Sequence, residues 1–304
     1  MNAASRSTPD SLPSGSDPSS VVPLESRSQL ERLASLLQWG PSGRGQAAGR
    51  DRGGRLGRAG EFEEYRPWRP GDDLRSLDVR VYHRLRKRVT RIDREDSSLP
   101  LTLLIDRSAS MAEPARDRCV RELALFFLAL ARYRGEARRV LFFSEDVPFP
   151  VSEVDPATID RAFDRVPPSG SADFGRAVPA LPLDPRGPGR LILLSDAFGL
   201  PDVTPLTRSS AHGRVLLLAP WTRQELTPSP VGAVTLRSRE NEPPWSGVID
   251  KTMVNAYVAQ NDRRWAGLTS WFRERGGDAH RVIAEAGALG AIESCLERGR
   301  WLRR

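Results

Sequence analysis

The stretch LTLLIDRSASM, residues 101–111, constrains the fold of this chain more than any other. It opens with a short, continuous apolar run, which is typical of a buried strand in a parallel sheet. The run ends at Asp106, and two hydroxyl side chains follow at alternate positions, Ser108 and Ser110. Ligands of open α/β sheets bind in the crevice outside the carboxyl ends of the strands. The sequence therefore predicts a ligand site at these three side chains.

The chemistry of these side chains favours a hard metal ion. One carboxylate and two neutral hydroxyls are oxygen donors that suit Mg²⁺ or Mn²⁺ with several waters retained. Asp196 follows the later apolar run 190–195, so we expect it at the same edge of the sheet as Asp106. The alternative is that Asp106 and the two serines only cap the helix that follows them.

Apolar strands alternate with helical segments from Leu99 to the C-terminus, which predicts a doubly wound parallel sheet. The expected strands are 99–105, 139–143, 190–195, 214–219, 233–238 and 279–284. The expected helices are 117–134, 156–165, 174–181, 250–275 and 288–298.

Three regions are predicted along the chain. Residues 1–22 are rich in Ser, Pro and Asp and are expected to be a disordered tail. Residues 23–98 contain an amphipathic helix within 23–39, a Gly/Arg loop, and a charged segment without a clear period. Residues 99–304 form the α/β domain.

Composition narrows the function classes. The formal charge is +7, but only two of the basic residues are lysines, and the Gly/Arg loop 43–58 lacks the interleaved aromatics of single-strand binders. A solvated basic loop is therefore favoured over a nucleic-acid site. No apolar stretch reaches the ~20 residues of a membrane span, and the N-terminus lacks the apolar region of a signal peptide. We expect a cytoplasmic protein, with Cys119 and Cys295 as buried, reduced thiols.

No catalytic motif is assembled in the sequence. It contains neither the G-x-S-x-G nucleophile elbow nor the G-x-x-x-x-G-K-[ST] phosphate loop. Haloacid-dehalogenase-type phosphatases place a second aspartate two residues after the first, where this chain has Ser108. We therefore expect no enzymatic activity.

Two segments carry a family resemblance. The sequence GEFEEYRPWRPGDDLRSLDVRVYHR, residues 60–84, resembles the signature of the bacterial domain-of-unknown-function family fifty-eight (DUF58). The D-x-S-x-S pattern at 106–110 resembles the metal-ion-dependent adhesion site of von Willebrand factor A domains. The matching signature residues are Gly60, Glu61, Phe62, Arg66, Trp68, Gly71, Asp72, Arg75 and Asp78.

The resemblance implies a Rossmann-like von Willebrand A-type fold, with a parallel-centred sheet flanked by helices and an N-terminal signature segment. It further implies an adaptor or assembly factor that binds a protein partner through its metal. The expected partner is a MoxR-type AAA+ ATPase or the client of that ATPase. The signature residues Arg66, Gly71, Asp72, Arg75 and Asp78 form either a partner surface or a structural ion-pair network, and the network is favoured.

The resemblance also implies a second-loop threonine and a third-loop aspartate as metal ligands. Asp196 matches the aspartate. In the second loop, SGSADFGRAV, the threonine position holds Ala172, which cannot ligate a metal. Ser171 and Asp173 are the candidate substitutes, because both carry oxygen ligands.

Overall fold

The computed structural model describes residues 22–40, 61–68, 79–94, 99–145, 149–150, 155–181, 189–198, 213–229, 232–239, 243–297 and 301–303. The chain divides into two compact units, one of residues 1–43 with 99–304 and the other of residues 44–98. Residues 1–21 of the predicted tail 1–22 and the Gly/Arg loop lie outside the described residues. Val22, assigned to the tail, is buried.

The described helices are α1 (Leu24–Leu36), α2 (Val79–Leu85), α3 (Pro114–Tyr133), α4 (Ile159–Arg165), α5 (Phe174–Ala177), α6 (Arg223–Leu226), α7 (Lys251–Glu274) and α8 (Gly287–Glu297). The described strands are β1 (Gln38–Trp39), β2 (Glu61–Pro67), β3 (Val89–Arg94), β4 (Leu101–Asp106), β5 (Arg138–Phe143), β6 (Phe149–Pro150), β7 (Gly189–Leu194), β8 (Gly213–Trp221), β9 (Gly232–Leu236), β10 (Trp245–Ile249), β11 (Asp278–Ile283) and β12 (Leu302–Arg303). Most of the predicted elements of the α/β domain are found within a few residues of their expected bounds.

The central sheet of the larger unit has the strand order β11-β8-β7-β4-β5-β6. Its first five strands are parallel, and the short β6 pairs antiparallel with β5. The predicted parallel-centred α/β fold is confirmed. Strand β4, which ends at Asp106, lies between β7 and β5, so its carboxyl end is flanked by loops on both sides.

Apolar side chains of the sheet alternate between two cores. On β4, Leu103 and Ile105 pack in the core that includes α3 and α8, whereas Leu104 packs in the opposite core with Phe272 of α7. Helix α3 is buried around its whole circumference from Leu123 to Ala131, because it contacts strands, α1 and α8. The N-terminal turns of this central helix start directly after the Asp106 loop.

Helix α1 belongs with the larger unit and not, as predicted, with the signature segment. It packs on α3, and the residues after it continue the contact. The Trp39 ring stacks on Phe127 with 5.9 Å between ring centroids, and Trp39 Nε1 donates a hydrogen bond to Glu136 at 2.8 Å. Strand β1 then pairs with the C-terminal β12. The apolar face of α1 is thereby used to cover α3.

Three local expectations are corrected. The predicted strand 233–238 exists as β9, but it pairs with β10 in a separate two-stranded hairpin and not in the central sheet. The predicted helix 174–181 is only the single turn α5. The segment 61–98, which shows no period in sequence, contains the antiparallel pair β2–β3 and helix α2. In the described part of the chain, no helix is long and apolar enough to span a membrane.

Candidate metal centre

Asp106 is the last residue of β4 and is fully buried at the carboxyl edge of the sheet. Its Oδ1 accepts a hydrogen bond from the backbone N–H of Ser108 at 2.7 Å. Its Oδ2 accepts one from the hydroxyl of Ser195 at 2.5 Å. Ser195 follows β7, which pairs with β4 in parallel register, Ile105 opposite Leu194. This register brings the ends of the two strands together as predicted.

The environment of Asp106 opposes its ionisation. Burial and the nearby charge of Asp196 together raise the pKa of Asp106 from 3.8 to about 7, although hydrogen bonds from Ser195 and Ser108 favour the ionised form. Two buried carboxylates that repel each other in this way can be stabilised by a proton or by a cation placed between them.

The two hydroxyls after Asp106 converge. Ser108 is buried, and its Oγ lies 3.1 Å from the Oγ of Ser110. The chain then makes a short 3₁₀ turn before α3 begins, and the N-cap of α3 is Glu113, whose carboxylate accepts from the backbone N–H of Arg116 at 2.9 Å. Glu113, and not Asp106 or either serine, therefore caps α3.

Asp196 is buried at the same edge, directly after Ser195. Its Oδ1 accepts from the backbone N–H of Phe198 at 3.0 Å, and its Oδ2 accepts from Arg116 Nη1 at 3.1 Å. Its backbone carbonyl accepts from Trp221 Nε1 at 2.8 Å. The carboxylate is therefore held in place by one backbone contact and one ion pair.

Arg116 of α3 connects the loops around the site. It is 2% exposed, donating from Nη1 to the Ser110 carbonyl at 2.6 Å and from Nε to the Pro220 carbonyl at 3.0 Å. Its Nη2 donates to the carboxylate of Glu225. Although burial acts to raise the pKa of Glu225, the hydrogen bond from Arg116 and its charge bring it below its usual value. The guanidinium thus links loops that follow three different strands.

The second loop reaches the site through its backbone. Ala109 N–H donates to the Gly170 carbonyl at 2.8 Å, which places this loop beside the first one. Asp173, however, uses Oδ1 to accept from Arg176 N–H at 3.0 Å and so caps α5. Ser171 is exposed, and Ala172 packs partly buried against the apolar core. The contacts described here bring neither Ser171 nor Asp173 to Asp106.

The residues that could hold a divalent cation are Asp106, Ser108, Ser110 and Asp196, which together offer two carboxylates and two hydroxyls. No group of three His, Cys, Asp or Glu is placed for a metal within the described residues. Two buried carboxylates with hydroxyls suit Mg²⁺ or Mn²⁺. Such an ion would supply a positive centre able to bind a further carboxylate.

Sequence reasoning missed three contributors: Ser195, Arg116 and Glu225. Ser195 stands next to the predicted Asp196 and could have been found from the strand register. The charged residues in the first turns of α3 resemble a solvated helix face in sequence, so nothing there indicates that Arg116 is buried. Glu225 belongs to a capping box with Thr222, which is recognisable only as a helix start.

Most of the predicted signature surface cannot be placed. Gly71, Asp72, Arg75 and Asp78 lie outside the described residues. Arg66 is in β2, opposite Thr90 of β3 in the smaller unit.

The family model for the protein of unknown function DUF58 matches residues 64–262. A search of curated proteins finds no match. Among solved structures, the conserved hypothetical protein BatB from Bacteroides thetaiotaomicron is similar, with 16% identity, a TM-score of 0.40, and coverage of 66% of this chain and 98% of that chain. An aerotolerance-related membrane protein from Bacteroides fragilis NCTC 9343 shows 16% identity, a TM-score of 0.37, and coverage of 64% and 97%.

Proposed function

The chain belongs to the DUF58 family, whose function is unknown, and we propose that it is a non-enzymatic interaction module. It binds one divalent cation at Asp106, Ser108, Ser110 and Asp196 and, through that cation, a carboxylate of a protein partner. The observation that carries the proposal is the buried pair of carboxylates beside two converging hydroxyls.

The composition of the donor set supports a binding role. Few protein charges would surround the cation, since Asp106 and Asp196 are the acidic donors and the serines are neutral. A cation with little charge compensation stays electrophilic and retains exchangeable waters. A glutamate or aspartate side chain from another protein can replace one of these waters.

The partner proposed is a MoxR-type AAA+ ATPase, or a client of that ATPase, in the cytoplasm. The family resemblance supports this choice. In this arrangement nucleotide hydrolysis belongs to the partner, because this chain carries no phosphate-binding loop in its sequence.

A second candidate function is a metal-free scaffold. The specific observation in its favour is the ion pair between Arg116 and Asp196, which gives the third-loop carboxylate a cationic partner within the chain. Ala172 at the expected threonine position also favours it. The two candidates differ in one measurable property, the dependence of partner binding on a divalent cation.

Affinity purification of the tagged full chain from its native host tests the proposal. Partners identified by mass spectrometry are compared with Mg²⁺ present and with Mg²⁺ chelated, for the wild type and for Asp106→Asn. The matched control is Asp155→Asn, a carboxylate with a side chain that is 39% exposed and that is distant from the site in sequence. We expect the partner to be lost on chelation and in Asp106→Asn, and retained in the control. A partner that stays bound in all conditions would instead favour the metal-free scaffold.

A further inference from the structure

Arg116 occupies an unusual position for a structural arginine. It is buried beside the proposed ligands and meets four acceptors: the carbonyls of Ser110 and Pro220 and the carboxylates of Asp196 and Glu225. The Asp196 contact, at 3.1 Å, is made by the same Nη1 that binds the Ser110 carbonyl at 2.6 Å. A single side chain therefore holds the first and third loops of the site together.

The two carboxylate partners of Arg116 differ in surroundings. Asp196 is 2% exposed and is one of the proposed ligands, whereas the Glu225 side chain is 28% exposed and lies in the one-turn helix α6. Glu225 is anchored independently, since it also accepts from the backbone N–H and the hydroxyl of Thr222. The guanidinium keeps a firm anionic partner if its contact with Asp196 is lost.

A divalent cation on Asp196 would lie close to this guanidinium. Like charges a few ångströms apart in a poorly solvated site repel each other by several times thermal energy, so both cannot be bound to one carboxylate without a loss of affinity. Oδ1 of Asp196 already accepts from Phe198 N–H and Oδ2 from Arg116, so a cation on either oxygen would lie near the guanidinium.

We propose that Arg116 is the resident counter-ion of Asp196 and sets the cation affinity of the site. Cation binding breaks the contact of the guanidinium with Asp196, and the guanidinium then keeps Glu225, which it already contacts, as its remaining carboxylate partner. Arg116 is thus a positioning residue that holds the loops of the site together and weakens the affinity of the site for a cation. The inference rests on the proposed function, because it concerns the same cation.

The indole of Trp221 provides a local reporter. It donates to the Asp196 carbonyl at 2.8 Å and stacks on Phe198 with 4.4 Å between ring centroids. Displacement of the guanidinium from Asp196 is expected to change the fluorescence of this buried indole. Replacement of Trp221 by Phe identifies the part of the signal that comes from it.

Calorimetric titration of Mn²⁺ into the full chain tests the inference with paired variants. Arg116→Gln removes the competing cation, so we expect Mn²⁺ to bind about tenfold more tightly or better. Glu225→Gln removes the other carboxylate partner of Arg116, so the guanidinium stays on Asp196 and we expect Mn²⁺ binding to weaken by about threefold or more. Loss of packing alone would weaken both variants, and the opposite signs separate competition from damage.

Arg264 supplies the charge-matched control. It approaches the same loop and the negative charge of Asp196 also acts on it, but its hydrogen bonds to this loop go to the backbone carbonyls of Ala197 and Phe198. We expect Arg264→Gln to tighten Mn²⁺ binding much less than Arg116→Gln. Equal tightening in both would show a general charge effect and would overturn the inference.

The melting temperature with and without Mn²⁺ provides a second readout if Arg116→Gln folds poorly. Without metal, this variant leaves Asp196 and Glu225 without their cation, and we expect its Tm to be lower than that of the wild type. Saturating Mn²⁺ should then raise its Tm by more than it raises that of the wild type. If the wild type and all variants bind Mn²⁺ equally, the role of Arg116 is wrong and the metal function stands. If none binds Mn²⁺, the proposed function itself fails.

Discussion

Two charge clusters built around buried arginines flank the start of helix α3, and they differ in the balance of positive and negative charge. The inner network pairs Arg107, Arg121 and Arg27 with Asp117, Asp160 and Asp164. The edge cluster contains Asp106, Asp196 and Glu225, and Arg116 forms ion pairs with the last two. No ion pair joins Asp106 to a basic residue in the described part of the chain. The inner network is neutral, whereas the edge cluster has an excess of negative charge.

This difference separates a structural arrangement from a functional one. In the inner network each buried arginine has a carboxylate, and the guanidinium groups of Arg107 and Arg121 also lie 4.9 Å from the centroid of the Phe163 ring. Paired charges of this kind need no ligand. An excess of buried negative charge at the carboxyl edge of a sheet, by contrast, is favourable only when a proton or a cation compensates it. The excess of negative charge, more than burial itself, distinguishes the candidate metal centre from the inner network.

The largest expected change in stability concerns the inner network, in which positive and negative charges balance. Asp117 accepts from Arg107 Nη1 at 2.5 Å and from Arg121 Nε at 2.9 Å. Asp117→Asn leaves two buried arginines without this carboxylate, so we expect the free energy of unfolding to fall by about 3–5 kcal/mol in urea denaturation. Asp164→Asn, at a side chain 41% exposed, should cost less than about 1 kcal/mol. Similar small losses in both variants would remove the contrast between the clusters.

The next expected change in stability concerns the edge cluster, where a substitution should stabilise the protein. The pKa of Asp106 is raised in the folded state, from 3.8 to about 7, so the folded protein holds a proton that the unfolded chain has released. Stability therefore falls as pH rises from about 4 to about 7 and stays low above it. Asp106→Asn removes this cost, and we expect it to stabilise the metal-free protein at pH 8 by about 1–4 kcal/mol.

The pH series provides the control for this prediction. The advantage of Asp106→Asn should shrink as the pH falls from about 7 towards 4, because the folded wild-type carboxyl then holds its proton and no longer carries a buried charge. Urea denaturation at pH 5, 6, 7 and 8 in EDTA measures it. An Asn variant that is less stable than the wild type at every pH would contradict the proposed excess of charge.

A smaller effect concerns the missing second-loop ligand. Ala172→Thr places a hydroxyl at the position where the family resemblance expects one. If it reaches the cation, the added ligand should tighten Mn²⁺ binding by about fivefold, the equivalent of one modest polar interaction. Ala172→Val, which has the same shape without the hydroxyl, is the matched control in calorimetry. Equal changes in the two variants would assign the effect to packing.

The smallest effect sets the scale for an ordinary ion pair on the same helix. Arg132 and Asp155 lie 3.5 Å apart at the exposed end of α3, with side chains 59% and 39% exposed. We expect Arg132→Gln to change the free energy of unfolding by no more than about 0.5 kcal/mol and to leave Mn²⁺ binding unchanged. A change in cation affinity here would indicate that long-range charge dominates the edge cluster.

The sequence indicates the fold well because strands and helices alternate with clear periods. The apolar run before Asp106 and the run before Asp196 place both aspartates at neighbouring strand ends, and the observed register confirms this placement. The hairpin β9–β10 is not predictable from its strand pattern, because that pattern does not reveal which strand it pairs with. The strands and the helix within 61–98 are not predictable from sequence, because the charged residues of this segment obscure the hydrophobic period.

The site was only half visible in sequence. Asp106, Ser108 and Ser110 are predictable because the D-x-S-x-S pattern lies within five consecutive residues. The partners Arg116 and Glu225 are distant from Asp196 along the chain, and their contacts depend on how α3 and the loop after β8 meet. Local patterns therefore gave the donors, and only the tertiary structure gave their electrostatic balance.

Mn²⁺ binding to the metal-free full chain at pH 8, followed by electron paramagnetic resonance of the free ion, tests the central claim most directly. We predict saturable uptake of one Mn²⁺ per chain by the wild type, loss of uptake in Asp106→Asn, and unchanged uptake in Arg132→Gln. A wild type that leaves all Mn²⁺ free, or an Asp106→Asn variant that takes up Mn²⁺ as the wild type does, would contradict a metal centre at this edge of the sheet.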